Sequence, residues 1–150
     1  RRVLFRSTDK SPSINRHRVF SETLKKNGVK CIDYIWNTKQ RTEEYYQQMN
    51  KLFDEYPEMD AMFSEDLIIM NALKCAGERG MCIPDEFKAV GYDGTLIAKI
   101  SYPSMTYVSQ PIKELADTLV DVLLKKINGA KLHEDIILKD VCLVKGQTTE

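Results

Sequence analysis

Polar residues of complementary types fall at five places where a short apolar run of this sequence gives out: Ser13, Asn15 and Arg16; Trp36 and Asn37; Glu65 and Asp66; Asp93; Ser109 and Gln110. An Arg and an Asp can each bind two neighbouring hydroxyls in the plane of a sugar ring, while a Trp covers the ring's apolar C–H face. With an amide added, the set suits a polyhydroxylated small molecule, and nothing in it requires catalysis. Each residue also has a purely structural reading. Arg16 lies beside His17 and Arg18, and Glu65 and Asp66 are anions of the kind a helix N-terminus favours.

Enzymatic signatures are missing from the sequence. There is no glycine-rich phosphate loop, no Gly-x-Ser-x-Gly elbow and no His-Glu-x-x-His, and neither His17 nor His133 falls at a strand end. Asp60, Asp66 and Asp93 offer carboxylates for Mg²⁺ at strand tips, but no Lys or Ser/Thr follows at a phosphate-binding spacing. No catalytic residue, cofactor or metal ligand is therefore assigned. Cys31, Cys75, Cys82 and Cys142 are scattered with no two-residue spacing, which predicts buried, reduced thiols in a cytoplasmic protein rather than a zinc or redox site.

The elements that must position these residues alternate. Val3 to Phe5, Lys30 to Trp36, Asp60 to Ser64 and Phe87 to Gly91 read as strands. Helices are expected from Ser13 to Lys26 (Ile14, Val19, Phe20, Thr23 and Leu24 on one side), Thr42 to Tyr56 (Tyr45, Met49, Leu52, Phe53 and Tyr56) and Asp66 to Gly77. The third is apolar nearly all the way round, which predicts burial on two sides. Strand–helix alternation argues for an α/β fold with a parallel, doubly wound sheet. In such sheets ligands bind beyond the carboxyl ends of the strands, so the five polar groups converge on one rim. Thr106 to Ser109 is a further strand, Ile112 to Asn128 a long amphipathic helix with Pro111 at its start, and Ile136 to Leu138 and Val141 to Val144 close the chain as strands.

Composition sets the outer bounds. The 150 residues suffice for one domain; 22 Lys plus Arg balance 22 Asp plus Glu, so the chain alone is a poor DNA binder. No apolar run approaches the roughly 20 residues of a membrane span. The sequence opens at Arg1 with a strand-like run and no signal-peptide pattern, as expected for a fragment of something longer.

Three ordered motifs carry a family likeness. Glu78-Arg79-Gly80-Met81-Cys82-Ile83-Pro84-Asp85-Glu86-Phe87, running into Val90-Gly91-Tyr92-Asp93-Gly94, resembles the Gly-x-x-(Ile/Val)-Pro-x-Asp and Val-Gly-(Phe/Tyr)-Asp segments of lactose-repressor and galactose-repressor type transcriptional regulators. Tyr102 to Pro111 resembles that family's Pro-x-Leu-Thr-Thr-Val-x-Gln-Pro, and Leu143 to Thr149 its closing Leu-Val-x-Arg-x-Ser/Thr-Thr.

The resemblance implies a periplasmic-binding-protein-like effector domain, with residues 1–109 and 139–150 in its C-terminal lobe and residues 110–138 supplying pieces of the N-terminal lobe. The helix-turn-helix DNA-binding region would precede it and is absent from these residues. Effector contacts carry over to Arg16, Trp36, Glu65, Asp93 and Gln110, and the effector to a sugar or related metabolite. Two positions depart from the pattern: Val19 stands where Gly is usual, and Glu65 where the ligand-binding Asn is usual. An added carboxylate disfavours an anionic ligand and suits a cationic one or a sugar with extra donors.

A cytoplasmic homodimer is implied, joined through Leu67 to Cys75 and Leu96 to Ile100, with DNA bound only through the missing region. The rival readings are a secreted solute-binding protein of the same fold and an α/β phosphotransferase or hydrolase. The stripe Ile112, Leu115, Leu119, Val120, Leu123, Leu124 and Ile127 would release on the order of 10 to 20 kcal/mol when buried. It is therefore expected to pack back onto this lobe or against a second chain.

Overall fold

The computed structural model describes residues 2–7, 11–36, 43–130 and 139–150. Strands β1 (Arg2–Ser7), β2 (Cys31–Trp36), β3 (Ala61–Phe63), β4 (Lys88–Asp93), β5 (Thr106–Ser109) and β6 (Cys142–Val144) form one sheet in the order β2-β1-β3-β4-β5-β6. Every neighbouring pair is parallel except β5 and β6, where Ser109 pairs with Cys142 in the antiparallel sense. The connecting helices are α1 (Ser11–Lys26), α2 (Glu43–Glu55), α3 (Asp66–Glu78), the short α4 (Leu96–Ile100) and α5 (Ile112–Ile127). The expected parallel, doubly wound α/β sheet is the fold observed. Only α4 lacked a sequence forecast as a helix, five residues being too few to show a period.

The two faces of the sheet are covered differently. Met62 and Ala89 are register partners and lie in one core with Met49, Leu52 and Phe53 of α2 and Ile69, Ala72 and Leu73 of α3. Phe87 is fully buried there, its ring 5.2 Å from that of Phe53. Alternate strand residues point to opposite faces, and Phe63, next to Met62, stacks on Phe20 of α1 at 5.3 Å. So α1 lies on the opposite face from α2 and α3. On the α1 face, Phe63, Val90, Tyr92 and Val108 are only half-buried, and Leu143, opposite Val108, is exposed.

The last residues hold the lower ends of the strands together. Thr148 is buried; its hydroxyl donates to the Ala89 carbonyl at 2.6 Å and accepts from the Thr106 N–H at 2.9 Å, while its own carbonyl accepts from the Ala89 N–H at 3.1 Å. Gly146 lies against the Ser104–Met105 backbone so closely that a Cβ would sit 2.7 Å from the Met105 carbonyl oxygen.

Several expectations need correction. Ile14, Val19 and Thr23 are exposed on α1, which rests on the sheet through Phe20, while Leu24 is half-buried. Cys75 is buried, but Cys31 is half-buried and Cys82 and Cys142 are exposed, because the last two lie in a turn after α3 and on the edge strand β6. All four thiols are free. The apolar stripe of α5 does not pack back onto the lobe: no α5 residue is buried, and Leu119 and Ile127 are 68% and 70% exposed. Pro111, which caps α5, starts the helix beyond the end of β5, so its stripe runs clear of the sheet. The strand expected at Ile136 to Leu138 lies outside the described residues.

Candidate functional site

Four of the five sequence-selected side chains are described, and they meet in two pairs at the carboxyl ends of the strands. Arg16, one turn into α1, places its guanidinium 4.0 Å from Glu65 Oε1, the N-cap residue of α3. The same guanidinium lies over the Tyr92 ring, 4.1 Å from the centroid. Such a flat contact with an aromatic face is favourable and restricts where the fork can point. Phe20, Phe63 and Tyr92 form a row beneath it, with ring separations of 5.3 and 6.1 Å.

The second pair joins Asp93 at the end of β4 to Gln110 after β5. The Gln110 side-chain amide donates to Asp93 Oδ1, and the Gln110 N–H to the Asp93 carbonyl at 3.4 Å. Asp93 has φ +115°, a backbone conformation that costs a non-glycine residue on the order of 1 to 3 kcal/mol. The surrounding contacts must hold it there, and such strain is found where a side chain has to be aimed. Arg16 lies over Tyr92, the residue before Asp93, so each pair has a contact at the end of β4. The backbone of Trp36 is the last residue of β2, paired with Ser7 of β1; its side chain and Asn37 lie outside the described residues.

Behind the rim is a carboxylate whose role is structural. Asp66 is 1% exposed, and its Oδ2 accepts from the Thr95 N–H at 2.7 Å and the Thr95 hydroxyl at 2.8 Å. Its Oδ1 is buried without a hydrogen-bond partner. Burial raises the Asp66 carboxyl above its ordinary value, against the lowering effect of the Thr95 bonds, and the Asp93 charge raises it further. Asp66 thereby holds the Asp93–Gly94–Thr95 turn that starts α4. A Cβ on Gly91 would collide with Asp66 Oδ1 and lie 2.7 Å from Met105 Sδ, so only glycine fits beneath this carboxylate.

The same geometry corrects the Mg²⁺ alternative. Asp60 precedes β3 and lies at the amino end of the sheet, far from Asp93 at the carboxyl end, and Asp66 is engaged by Thr95. Among the described residues no group of three His, Cys, Asp or Glu could hold a metal ion.

Sequence reasoning missed Tyr92. It lies inside the Gly-Tyr-Asp motif that was read for its aspartate, two residues along the strand from Val90 and hence on the α1 face under Arg16. A concavity of about 480 Å³ beside it is lined by Asn15, Arg16, Val19, Phe20, Thr23 and Phe63. It runs along α1 and touches the polar rim at Asn15 and Arg16.

The surface expected to meet a partner is also revised. Ile68, Ile69, Ala72, Leu73, Cys75 and Ala76 of α3 are buried in the chain's own core, so that helix is apolar all round for internal reasons. What stays exposed nearby is Leu67, with Leu96, Ile100 and Tyr102 at 69%, 71% and 91% around α4.

Residues 1–149 match the periplasmic binding protein-like domain, and the chain belongs to that family. The resemblance to lactose-repressor type regulators holds as well. Over 90 residues the chain is 42% identical to the sucrose operon repressor of Streptococcus mutans, covering 59% of this chain and 28% of the repressor. It is 30% identical over 123 residues to the ribose operon repressor of Halalkalibacterium halodurans, covering 81% of this chain and 37% of that one. The lactose repressor bound to ONPG superposes with a TM-score of 0.86 at 24% identity, over 99% of this chain and 45% of its own. The regulator CelR in complex with cellobiose gives 0.85 at 23%, over 99% and 46%. These two superpositions show the fold. The chain spans less than half the length of these relatives. The relatives are transcriptional repressors rather than enzymes, and no described helix is long and apolar enough to cross a membrane.

Proposed function

We propose that these residues are part of the sugar-sensing domain of a cytoplasmic transcriptional repressor, holding an effector at the strand-end rim without converting it. Residues 1–109 and 139–150 form one lobe and residues 110–138 belong to a second, which the wholly unburied α5 supports. In this reading Arg16, Trp36, Glu65, Asp93 and Gln110 contact the ligand. The observation that carries it is that the Arg16–Glu65 and Asp93–Gln110 pairs both form at the carboxyl ends of the strands, with a strained backbone at Asp93.

A ligand gripped by both lobes favours their closed arrangement by its difference in affinity for closed and open forms. In a dimer joined through Leu67, Leu96, Ile100 and Tyr102, that shift would be passed to DNA-binding heads preceding Arg1. Ligand at a hundredfold its dissociation constant adds roughly 2.7 kcal/mol of stability. A thermal-shift screen of the full-length protein over sugars, polyols, nucleosides and amines tests the reading. Arg16→Ala and Asp93→Ala should each abolish the shift produced by the active compound; retention of the shift in both variants places the ligand elsewhere.

A further inference from the structure

We infer that Glu65 sets the charge selectivity of the rim, making it a site for an uncharged sugar and excluding the phosphorylated or carboxylated form of the same sugar. The inference rests on the sugar-site reading above and goes on to name the class of sugar. A phosphate ester needs a cation with free N–H donors or the positive end of a helix. At this rim each of the two has a carboxylate of the protein beside it. The Arg16 guanidinium faces Glu65 at 4.0 Å and is laid on the Tyr92 ring, which leaves a weakened positive field and one restricted direction for its fork. The amino end of α3 carries Glu65 as its N-cap and Asp66 in its first turn, so its partial positive charge is met before a ligand arrives.

Glu65 stands beside this guanidinium, and Asp93 at the end of β4 is a second carboxylate of the rim. Asp93 is bonded to the neutral amide of Gln110, which orients it without cancelling its charge. The Glu65 side chain is 54% exposed against 27% for Arg16, so it is Glu65 that presents itself to an incoming molecule. To a neutral sugar these carboxylates are acceptors for hydroxyl donors. To a dianionic phosphate within about 6 Å they are a repulsion that grows as the cleft closes and water leaves.

The test compares matched pairs on the full-length protein by thermal shift and calorimetry: glucose with glucose 6-phosphate, sucrose with sucrose 6-phosphate, ribose with ribose 5-phosphate. For whichever pair binds, the neutral member should bind at least about tenfold tighter than its ester. Glu65→Gln, which keeps the shape and removes the charge, should cut that ratio by about tenfold, and Glu65→Asp should restore most of it. An ester that binds as tightly as its parent sugar overturns the inference, and would direct attention to the first turn of α1, which carries no acidic residue. So does a ratio unchanged by Glu65→Gln. If no sugar, neutral or esterified, shifts the melting temperature, the sugar-site reading itself fails and the selectivity falls with it.

Discussion

One sheet here has two unlike faces. Against α2 and α3 it is sealed by fully buried side chains such as Met49, Leu52, Ile69 and Phe87. Toward α1 it is sealed only in part, and the apolar stripe of α5 has no cover among the described residues. Parallel sheets are stable when both faces are covered. The α2/α3 face is therefore what makes these residues a folding unit, while the α1 side and α5 carry apolar surface that this chain does not bury.

That contrast predicts the ranking of substitutions in urea unfolding. Phe87→Ala, which empties a site with no solvent exposure, should cost about 3 to 5 kcal/mol. Leu143→Ala, on the bare face, should cost under about 1 kcal/mol. Equal losses at the two positions would erase the distinction between the faces. Next in size is Thr148→Val, which removes the hydroxyl shared by Ala89 and Thr106 and leaves both backbone groups unpaired; about 3 kcal/mol is expected.

A smaller effect carries a pH signature. Asp66 has its carboxyl raised by burial, so the folded state binds its proton more tightly than the unfolded state does. Stability from this group is then full below its ordinary value of 3.8 and is lost as pH rises through the raised value. Asp66→Asn keeps an acceptor for Thr95 and removes the titration. The variant should gain on the parent protein as pH climbs from 3.8 and level off thereafter, measured as the urea midpoint across pH.

The smallest expected change is on α5. Leu123→Ser should alter the stability of these 150 residues by less than about 0.5 kcal/mol, because Leu123 is already in water. The same substitution in the full-length protein sharpens the contrast: a loss of about 2 kcal/mol or more there shows that the stripe is covered in the larger molecule.

Much of this was legible in the sequence, for identifiable reasons. Thr106 to Ser109 is a short β-branched and aromatic run ended by Gln110-Pro111, so its limits read correctly; α2 showed its stripe because Met49, Leu52 and Phe53 recur at helical spacing. The meeting of Arg16 with Glu65 and of Asp93 with Gln110 followed from the rule that loops at strand carboxyl ends converge. Tyr92 was not legible, since which residue supports a guanidinium depends on how α1 sits on the sheet. That α5 does not pack back onto this lobe was not legible for a similar reason: an amphipathic pattern states that a face wants cover without stating which chain supplies it. Grouping Asp60 with Asp66 and Asp93 as strand-tip carboxylates overlooked that Asp60 begins its strand, at the opposite end of the sheet from Asp93.

The tail from Gly146 to Thr149 behaves as a latch rather than an appendage. Cutting the chain after Gln147 would unpick the Ala89 and Thr106 backbone groups in one step. Labels, tethers or affinity handles for studying this molecule should therefore be kept away from Thr148 and Thr149.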